Sequence, residues 1–380
     1  MKIAFLTPEY PHRYTGSAGG IGTSILNLTK GLTALGHQVI ILVYGQDEDA
    51  YFEEDNVRYY KIKNIKIKGL SFYFTQKKVE RLINKLYSEN KIDIVEAPDW
   101  TGFTAFINPK CPLVIRENGS DTYFCHLDNR PVKFKNKYLE KRALKKVDAI
   151  ISVSHFTGTL TNKLFKLKRP FTVIPNAIDV SAFKPMAKTD TKLTILYFGT
   201  LIRKKGLLEL PEIFNKVHIK NKEAELILVG KDSPDIFTKS KSTWALMQPL
   251  FNVHAIKKVN YLGAVPYKDM QDLIQQASLC VFPTFAEALP VSWIEAMAME
   301  KPIVASNVGW AKEVISDGIN GYLVHPKDHT TYANRIVDLI ENTNLQADFG
   351  KAARKKVLTT FSTEVVAKQS IEFYKSMITS

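Results

Sequence analysis

Residues 282–310 read FPTFAEALPVSWIEAMAMEKPIVASNVGW. This stretch decides the fold, because it holds a complete strand–turn–helix–strand unit. An apolar run from Ala277 to Pro283 ends in a polar turn, Pro290 opens an apolar helix, and KPIVASN starts a second apolar run. Proline is favoured at the first helical position, where its missing N–H has no partner to lose. Two apolar runs joined through a helix are the repeating unit of a parallel sheet, since parallel neighbours need a long crossover connection.

Two carboxylates mark this unit. Glu287 sits in the turn and Glu295 in the helix, with seven residues between them. The backbone of Leu289, Pro290 and Val291 forms the helix mouth, where unpaired N–H groups and the positive dipole end favour an anion. Acids on both sides of an anion site suit a substrate with phosphates in the middle and hydroxyls at both ends. A nucleotide sugar has that layout.

The same alternation runs through the whole chain. IAFLT, a helix over Ile21–Leu35, QVIILVYG, IDIVEAP, PLVIREN, DAIISVS and FTVIPNA fill the first half. LTILYFGT, a helix over Leu207–Lys220, AELILVGK, VNYLGAVP, LCVFPT, KPIVASN and GYLVHP fill the second. At 380 residues the chain is too long for one core. The expected class is α/β, with two Rossmann-like, doubly wound domains: residues 1–185, residues 186–362, and a terminal piece over 363–380. The joint falls near Phe183–Thr191, in the polar KPMAKTDTK. Glu364–Ile378 reads as an amphipathic helix with Val365, Val366, Ser370, Phe373 and Met377 on one side. Open α/β sheets bind ligands beyond the carboxyl ends of their strands, so two such sheets are expected to enclose a cleft.

Composition narrows the partners. No run of about 18 apolar residues occurs, so no membrane span is expected. MKIAFLTPEY turns polar too soon for a signal peptide and reads as a buried strand. Cys111, Cys125 and Cys280 are scattered, which predicts neither a disulfide framework nor a metal set, and a cytoplasmic location. Net charge is +14, and residues 1–185 hold 28 Lys and Arg against 18 Asp and Glu. That excess points to an anionic partner of the first domain. No zinc-finger, RRM-type or helix-turn-helix pattern is present, so a membrane surface or a phosphorylated acceptor is preferred and nucleic acid is not expected. Eight Lys and Arg lie between Arg130 and Lys146, and four lysines with three aromatics lie between Lys61 and Phe74. Such stretches suit anionic headgroups at the inner face of the plasma membrane, with a solvated helix face as the plain alternative for either alone.

Further motifs fall at strand ends. Gly16, Gly19, Gly20 and Gly22 lie between the first strand and first helix, where glycine lets backbone approach a ligand closely. The second domain opens on a more basic turn, Gly199-Thr200-Leu201-Ile202-Arg203-Lys204-Lys205-Gly206, whose cations suit a diphosphate leaving group. Lys231 follows LILVG and adds a further phosphate contact, while Glu313 reads equally as a helix cap. Asp99 and Trp100 end one first-domain strand and Arg116, Glu117, Asn118 and Gly119 another; either set lines an acceptor side or serves structure. Asn176, after Pro175, reads as a chain turn.

Taken together, these residues resemble the retaining glycosyltransferases of the GT-B fold, of the glycosyltransferase family 4 type. The resemblance runs over nearly the whole chain: the glycine loop, ALGHQVIIL, VEAPDW, ISVSHF, VIPNAID, FGTLIRKKG, LGAVP, the glutamate pair with EAMA, and DGINGYLV. It implies two Rossmann-like domains, a final helix crossing back to the first, a nucleotide-diphosphate-sugar donor on the second and a glycan, lipid-linked or small-molecule acceptor on the first. By position, Glu295 would accept hydrogen bonds from ribose hydroxyls, and Glu287 would face the donor sugar. Leu289, Pro290 and Val291 with Arg203 and Lys205 would hold the diphosphate, and Gly19 and Gly20 would let the first domain approach. No cofactor and no metal are implied, since cations and the helix end supply the charge a metal would. Retention is implied through front-face attack, with an oxocarbenium-like state and the departing phosphate taking the acceptor proton.

The chain departs from the family at four positions. Thr200 stands where many relatives carry arginine, and Asn118 where many carry histidine, which replaces a titratable ring with an amide. Ala288 and Pro290 replace two glycines. A non-hydrolysing nucleotide-sugar epimerase shares the architecture but needs more acid and base groups than these. A non-catalytic assembly partner would bind nucleotide without transfer, and the intact Glu287, Glu295 and Lys205 weigh against it.

Overall fold

The computed structural model describes residues 1–16, 18–186 and 193–378. The chain divides into two compact units, residues 1–179 with 360–380, and residues 180–359. Most of the expected joint, residues 187–192, lies outside the described residues.

The first unit is built on eight strands: β1 (Lys2–Thr7), β2 (Gln38–Gln46), β3 (Ala50–Glu54), β4 (Val57–Lys63), β5 (Ile94–Pro98), β6 (Leu113–Glu117), β7 (Ala149–Ser152) and β8 (Thr172–Val173). Their order is β3-β4-β2-β1-β5-β6-β7-β8, parallel throughout except for the β3–β4 pair. That antiparallel edge hairpin was not foreseen. It turns at Asp55 and Asn56, both at positive φ, the backbone a two-residue hairpin requires. Lys61 of the basic Lys61–Phe74 stretch therefore belongs to a strand. It is 9% exposed and paired with Asp47 and Glu48.

Alternate residues of the central strands face opposite cores. Ala4, Leu6, Ile40 and Leu42 pack on one side; Ile3, Phe5, Val39 and Ile41 pack on the other. Burial on both faces explains why these strands read as unbroken apolar runs. The final helix, Thr363–Ile378, returns to this unit. Its buried face is Val366, Ala367, Ser370, Ile371 and Tyr374, so Val365, Phe373 and Met377 of the expected stripe only flank it. It crosses the Gly20–Ala34 helix at Gly31, where a Cβ would stand 2.5 Å from the Thr363 carbonyl oxygen. Ile178 and Phe361–Thr363 exchange backbone hydrogen bonds of 2.8 and 3.0 Å, pinning the returning chain.

The second unit carries β9 (Thr194–Phe198), β10 (Glu225–Val229), β11 (Val259–Tyr261), β12 (Leu279–Phe282), β13 (Ile303–Ser306) and β14 (Tyr322–Val324). All its pairs are parallel, in the order β11-β10-β9-β12-β13-β14. Both units are thus doubly wound parallel sheets, as expected. In each, the order reverses beside the first strand: between β1 and β5 in one, between β9 and β12 in the other. Ligands of open α/β sheets bind at that reversal. Among the described residues, no helix is long and apolar enough to cross a membrane.

Candidate active site

Two turns flank the reversal point of the second unit: Gly199–Gly206 after β9 and Pro283–Pro290 after β12. The Lys204 carbonyl accepts hydrogen bonds from the Phe285 and Ala286 N–H groups at 2.8 and 3.2 Å. Gly206, at φ 73°, lies against the Pro283 carbonyl so closely that a Cβ there would stand 1.8 Å from its oxygen. The basic motif and the acidic motif are thereby fastened together.

The Lys205 ammonium sits 3.2 Å from Glu287 Oε1, with these side chains 20% and 17% exposed. Burial pushes the Glu287 carboxyl up, but the charges of Lys205 and Lys204 outweigh it and hold the group below the usual carboxylate range. Lys205 also lies under Gly199, whose missing Cβ would stand 3.1 Å from Nζ. The Tyr197 hydroxyl closes this floor, donating to the Thr200 carbonyl at 3.1 Å.

Glu295 lies in the Val291–Ala298 helix, 6% exposed. Burial raises its carboxyl to about 7, against the opposing pull of the Tyr267 hydroxyl and the Lys205 charge. Tyr267 donates to Glu295 Oε1 at 2.6 Å. Nothing in the spacing of VPYKDM pointed to Tyr267, because the contact forms only when two distant segments meet. Lys205 therefore pairs with an ionised acid, and its charge reaches a second acid poised to ionise near neutrality.

Pro290 is the N-cap rather than the first helical residue, with φ −74° and ψ 119°. Having no N–H, it donates nothing. The N–H donors of the helix mouth are those of Val291 and the residues after it, which lack a carbonyl one turn back. Leu289 is buried, and Val291 is half-buried.

Arg203 does not join this group directly. Its Nε and Nη2 bind the two oxygens of Asp235 at 2.7 and 2.8 Å, and its guanidinium lies 5.3 Å from the Phe237 ring centre. Asp235, held well below the usual range by that pair, was missed because no sequence signal links positions 203 and 235. Thr200 and Lys231 are exposed, and the Lys231 carbonyl accepts from the Leu201 N–H at 2.9 Å. Glu313 is half-buried in the short Ala311–Val314 helix.

In the first unit, Gly19 caps the Gly20–Ala34 helix, and Gly20 is its exposed first residue. Glu9 reaches under this loop, accepting from the Gly22 N–H at 3.1 Å. Asn176 is joined to this helix, accepting from the Ser24 hydroxyl at 2.7 Å.

Two expected acceptor residues prove internal. Arg116 is 3% exposed and fully engaged with Glu96 at 2.7 Å and the Ile174 carbonyl at 2.9 Å. Asp99 is 2% exposed, and its Oδ1 accepts from the Asn118 N–H at 3.0 Å. The reason is the same for both: a group at the end of a doubly covered parallel strand is enclosed by neighbouring strands and turns. Burial raises Asp99 to about 7 and Glu140 to about 7, and lifts Glu117 well above its ordinary value. Asn118 itself is half-buried, its side-chain amide 3.4 Å from the Arg116 carbonyl.

Comparison with known proteins gives the family. Residues 181–356 match the family described as glycosyl transferases group 1, and residues 18–182 match Glycosyltransferase Family 4. The chain belongs to the family 4 type of GT-B glycosyltransferases. It is 22% identical to the N-acetyl-alpha-D-glucosaminyl L-malate synthase of Bacillus anthracis, over 100% of this chain and 98% of that one. Among solved structures it is similar to a sucrose-phosphate synthase from Thermosynechococcus elongatus, with TM-score 0.79, 19% identity and 100% of both chains covered. It is also similar to the Anabaena protein HepE in complex with UDP, with TM-score 0.74, 19% identity, and 99% and 100% of the two chains covered.

Proposed function

We propose that this glycosyltransferase moves a sugar from a nucleotide-diphosphate donor to a glycan or glycolipid acceptor with retention of anomeric configuration, in surface polysaccharide assembly. The observation that carries the donor reading is the Glu287–Lys205 pair at the sheet reversal, whose lysine charge reaches the buried Glu295. Glu295 would accept from the ribose hydroxyls, and Tyr267 would fix the carboxylate's orientation. Lys205 and the helix-mouth amides would neutralise the diphosphate as the glycosidic bond breaks. Arg203, neutralised by Asp235, would hold the basic turn rather than the phosphate. Glu287 would face the sugar ring and stabilise positive charge on an oxocarbenium-like carbon.

In this reading the leaving phosphate takes the acceptor proton, and Asn118 contributes a hydrogen bond rather than proton transfer. The cations of this turn make a catalytic metal unnecessary. The solved relative bound to UDP supports a nucleotide donor. A non-hydrolysing epimerase would need further acid and base groups at this site, and the Lys205–Glu287 ion pair weighs against a partner without turnover.

Purified protein incubated with a panel of nucleotide sugars and a panel of glycan and lipid-linked acceptors, with and without chelator, is expected to release nucleoside diphosphate from one donor and glycosylate one acceptor at a rate that chelator leaves unchanged. The product's anomeric coupling should match the donor's. Release from no donor would overturn the reading, and an inverted product would overturn the retaining mechanism.

A further inference from the structure

The two basic stretches of the first unit form one surface. Lys135, in the Phe134–Lys146 helix, lies 5.3 Å from the ring centre of Phe72, in the Ser71–Ser88 helix. Arg142 covers Phe106 at 4.7 Å, and Phe106 in turn meets Tyr73 edge-on at 5.5 Å. The Phe134–Lys146 helix, the start of the Ser71–Ser88 helix and the loop before it are therefore contiguous.

This surface is apolar where a soluble face should be polar. Phe134 is 84% exposed, Leu70 51%, Tyr138 50%, Ile67 42% and Tyr73 40%. The inward side of the same helix already holds Leu139, Ala143 and Leu144, so Phe134 and Tyr138 are not displaced core residues. Interleaved among them are the exposed Lys66, Lys68, Lys133, Lys135 and Lys137. Nearby Lys77, Lys78 and Arg130 are paired with Glu80, Asp49 and Asp128, whereas those five lysines form no ion pair among the described residues.

We propose that this face docks on a bilayer rich in anionic headgroups, with Phe134 and Leu70 entering the headgroup–acyl boundary and the five lysines lying on the lipid phosphates. Exposed apolar rings beside unpaired cations are the complement of an anionic interface. The cations are lysines rather than guanidinium forks, and aliphatic Ile67 and Leu70 share the patch with the rings; both features favour a lipid surface over a nucleic acid. The inference rests on the reading of a membrane-linked acceptor and names the surface that would bring the enzyme to it.

The test uses the full chain and vesicles of phosphatidylcholine, alone or mixed with phosphatidylglycerol, in flotation and donor-driven nucleotide-release assays. Flotation with mixed vesicles only, weakened by salt, is expected. Reversal of Lys133, Lys135 and Lys137 to glutamate should lower vesicle affinity about a hundredfold or more, at about fivefold per lysine near an anionic surface. Phe134→Ser with Tyr138→Ser should abolish the salt-resistant part of binding, leaving melting temperature and nucleotide release unchanged. Equal binding by wild type and variants, equal binding to neutral vesicles, self-association through this face, or capture of an RNA oligonucleotide without vesicle binding would each overturn the proposal. Nucleotide release without vesicle binding would defeat this inference alone; vesicle binding without release from any donor would defeat the transferase reading alone.

Discussion

Lys205 Nζ lies 3.2 Å from Glu287 Oε1, joining a basic turn after β9 to an acidic turn after β12. Neither partner is at ease without the other: the carboxylate is mostly buried, and the ammonium is held under Gly199. Removing one partner of such a pair leaves the other as an uncompensated charge.

Lys205→Ala should therefore lower the transfer rate by about a hundredfold to a thousandfold, the usual effect of losing one donor at a developing negative charge. Lys205→Arg should recover part of it. Steady-state kinetics with the cognate donor measure both, and an unchanged rate in the alanine variant would remove Lys205 from the reaction.

Glu295 offers a pH signature. With its carboxyl raised to about 7, the free enzyme is largely protonated below that pH and is then a poorer acceptor for ribose hydroxyls. Nucleotide affinity should level off above about 7 and fall by up to about tenfold per pH unit beneath it. Glu295→Gln should bind weakly with no such step. Calorimetric titration with the nucleoside diphosphate across this range checks the role, and a flat wild-type profile would refute it.

Asp99 makes a separate prediction about stability. Its carboxyl titrates at about 7 in the folded chain, against 3.8 for the ordinary group, so the folded state binds more protons between those values. Stability contributed by the protonated form is complete below the lower value and falls as pH rises toward the upper one, by up to about 1.4 kcal/mol per pH unit. Asp99→Asn keeps an acceptor for the Asn118 N–H and should flatten that part of the slope. Urea unfolding at several pH values, wild type against variant, measures it; parallel curves would contradict the prediction.

Gly206→Ala should destabilise the second unit by about 3 kcal/mol or more, since the new methyl meets the Pro283 carbonyl and a positive φ adds its own cost. Gly36→Ala is the control. Its φ is 78°, but nothing lies within 4 Å of the added carbon. Its cost should stay near about 1–2 kcal/mol, from conformation alone. Similar shifts in melting temperature for the two variants would mean that the turns are not packed as described.

Arg116 should behave as a structural residue. Glu96 binds both its guanidinium and the Tyr374 hydroxyl, the latter at 2.6 Å, which ties the final helix to the sheet. Arg116→Met should cost about 3–5 kcal/mol by stranding Glu96. Tyr374→Phe should cost about 1–2 kcal/mol and leave the donor KM unchanged. A shifted acceptor KM in Tyr374→Phe, with stability intact, would restore the acceptor role to this cluster.

The strands were legible because a parallel sheet covered on both faces leaves its period-free apolar runs in the chain itself, as in QVIILVYG and LTILYFGT. The β3–β4 hairpin was not, since its partly exposed residues mix lysines, acids and rings without a clear run. The buried face of the final helix lies about a quarter of a turn from the stripe legible in the sequence, as two neighbouring stripes are similarly apolar.

By itself, the sequence determined the doubly wound class, the two glutamates and the helix mouth, because each depends on local propensity and spacing along a short segment. Only the tertiary structure decided which charges meet. It paired Lys205 with Glu287 and gave Arg203 to Asp235. It set Tyr267 on Glu295, and it enclosed Arg116 with Glu96 and Tyr374. Such pairings depend on burial and on contacts between segments far apart in the chain, where loss of water makes an ion's nearest partner matter most.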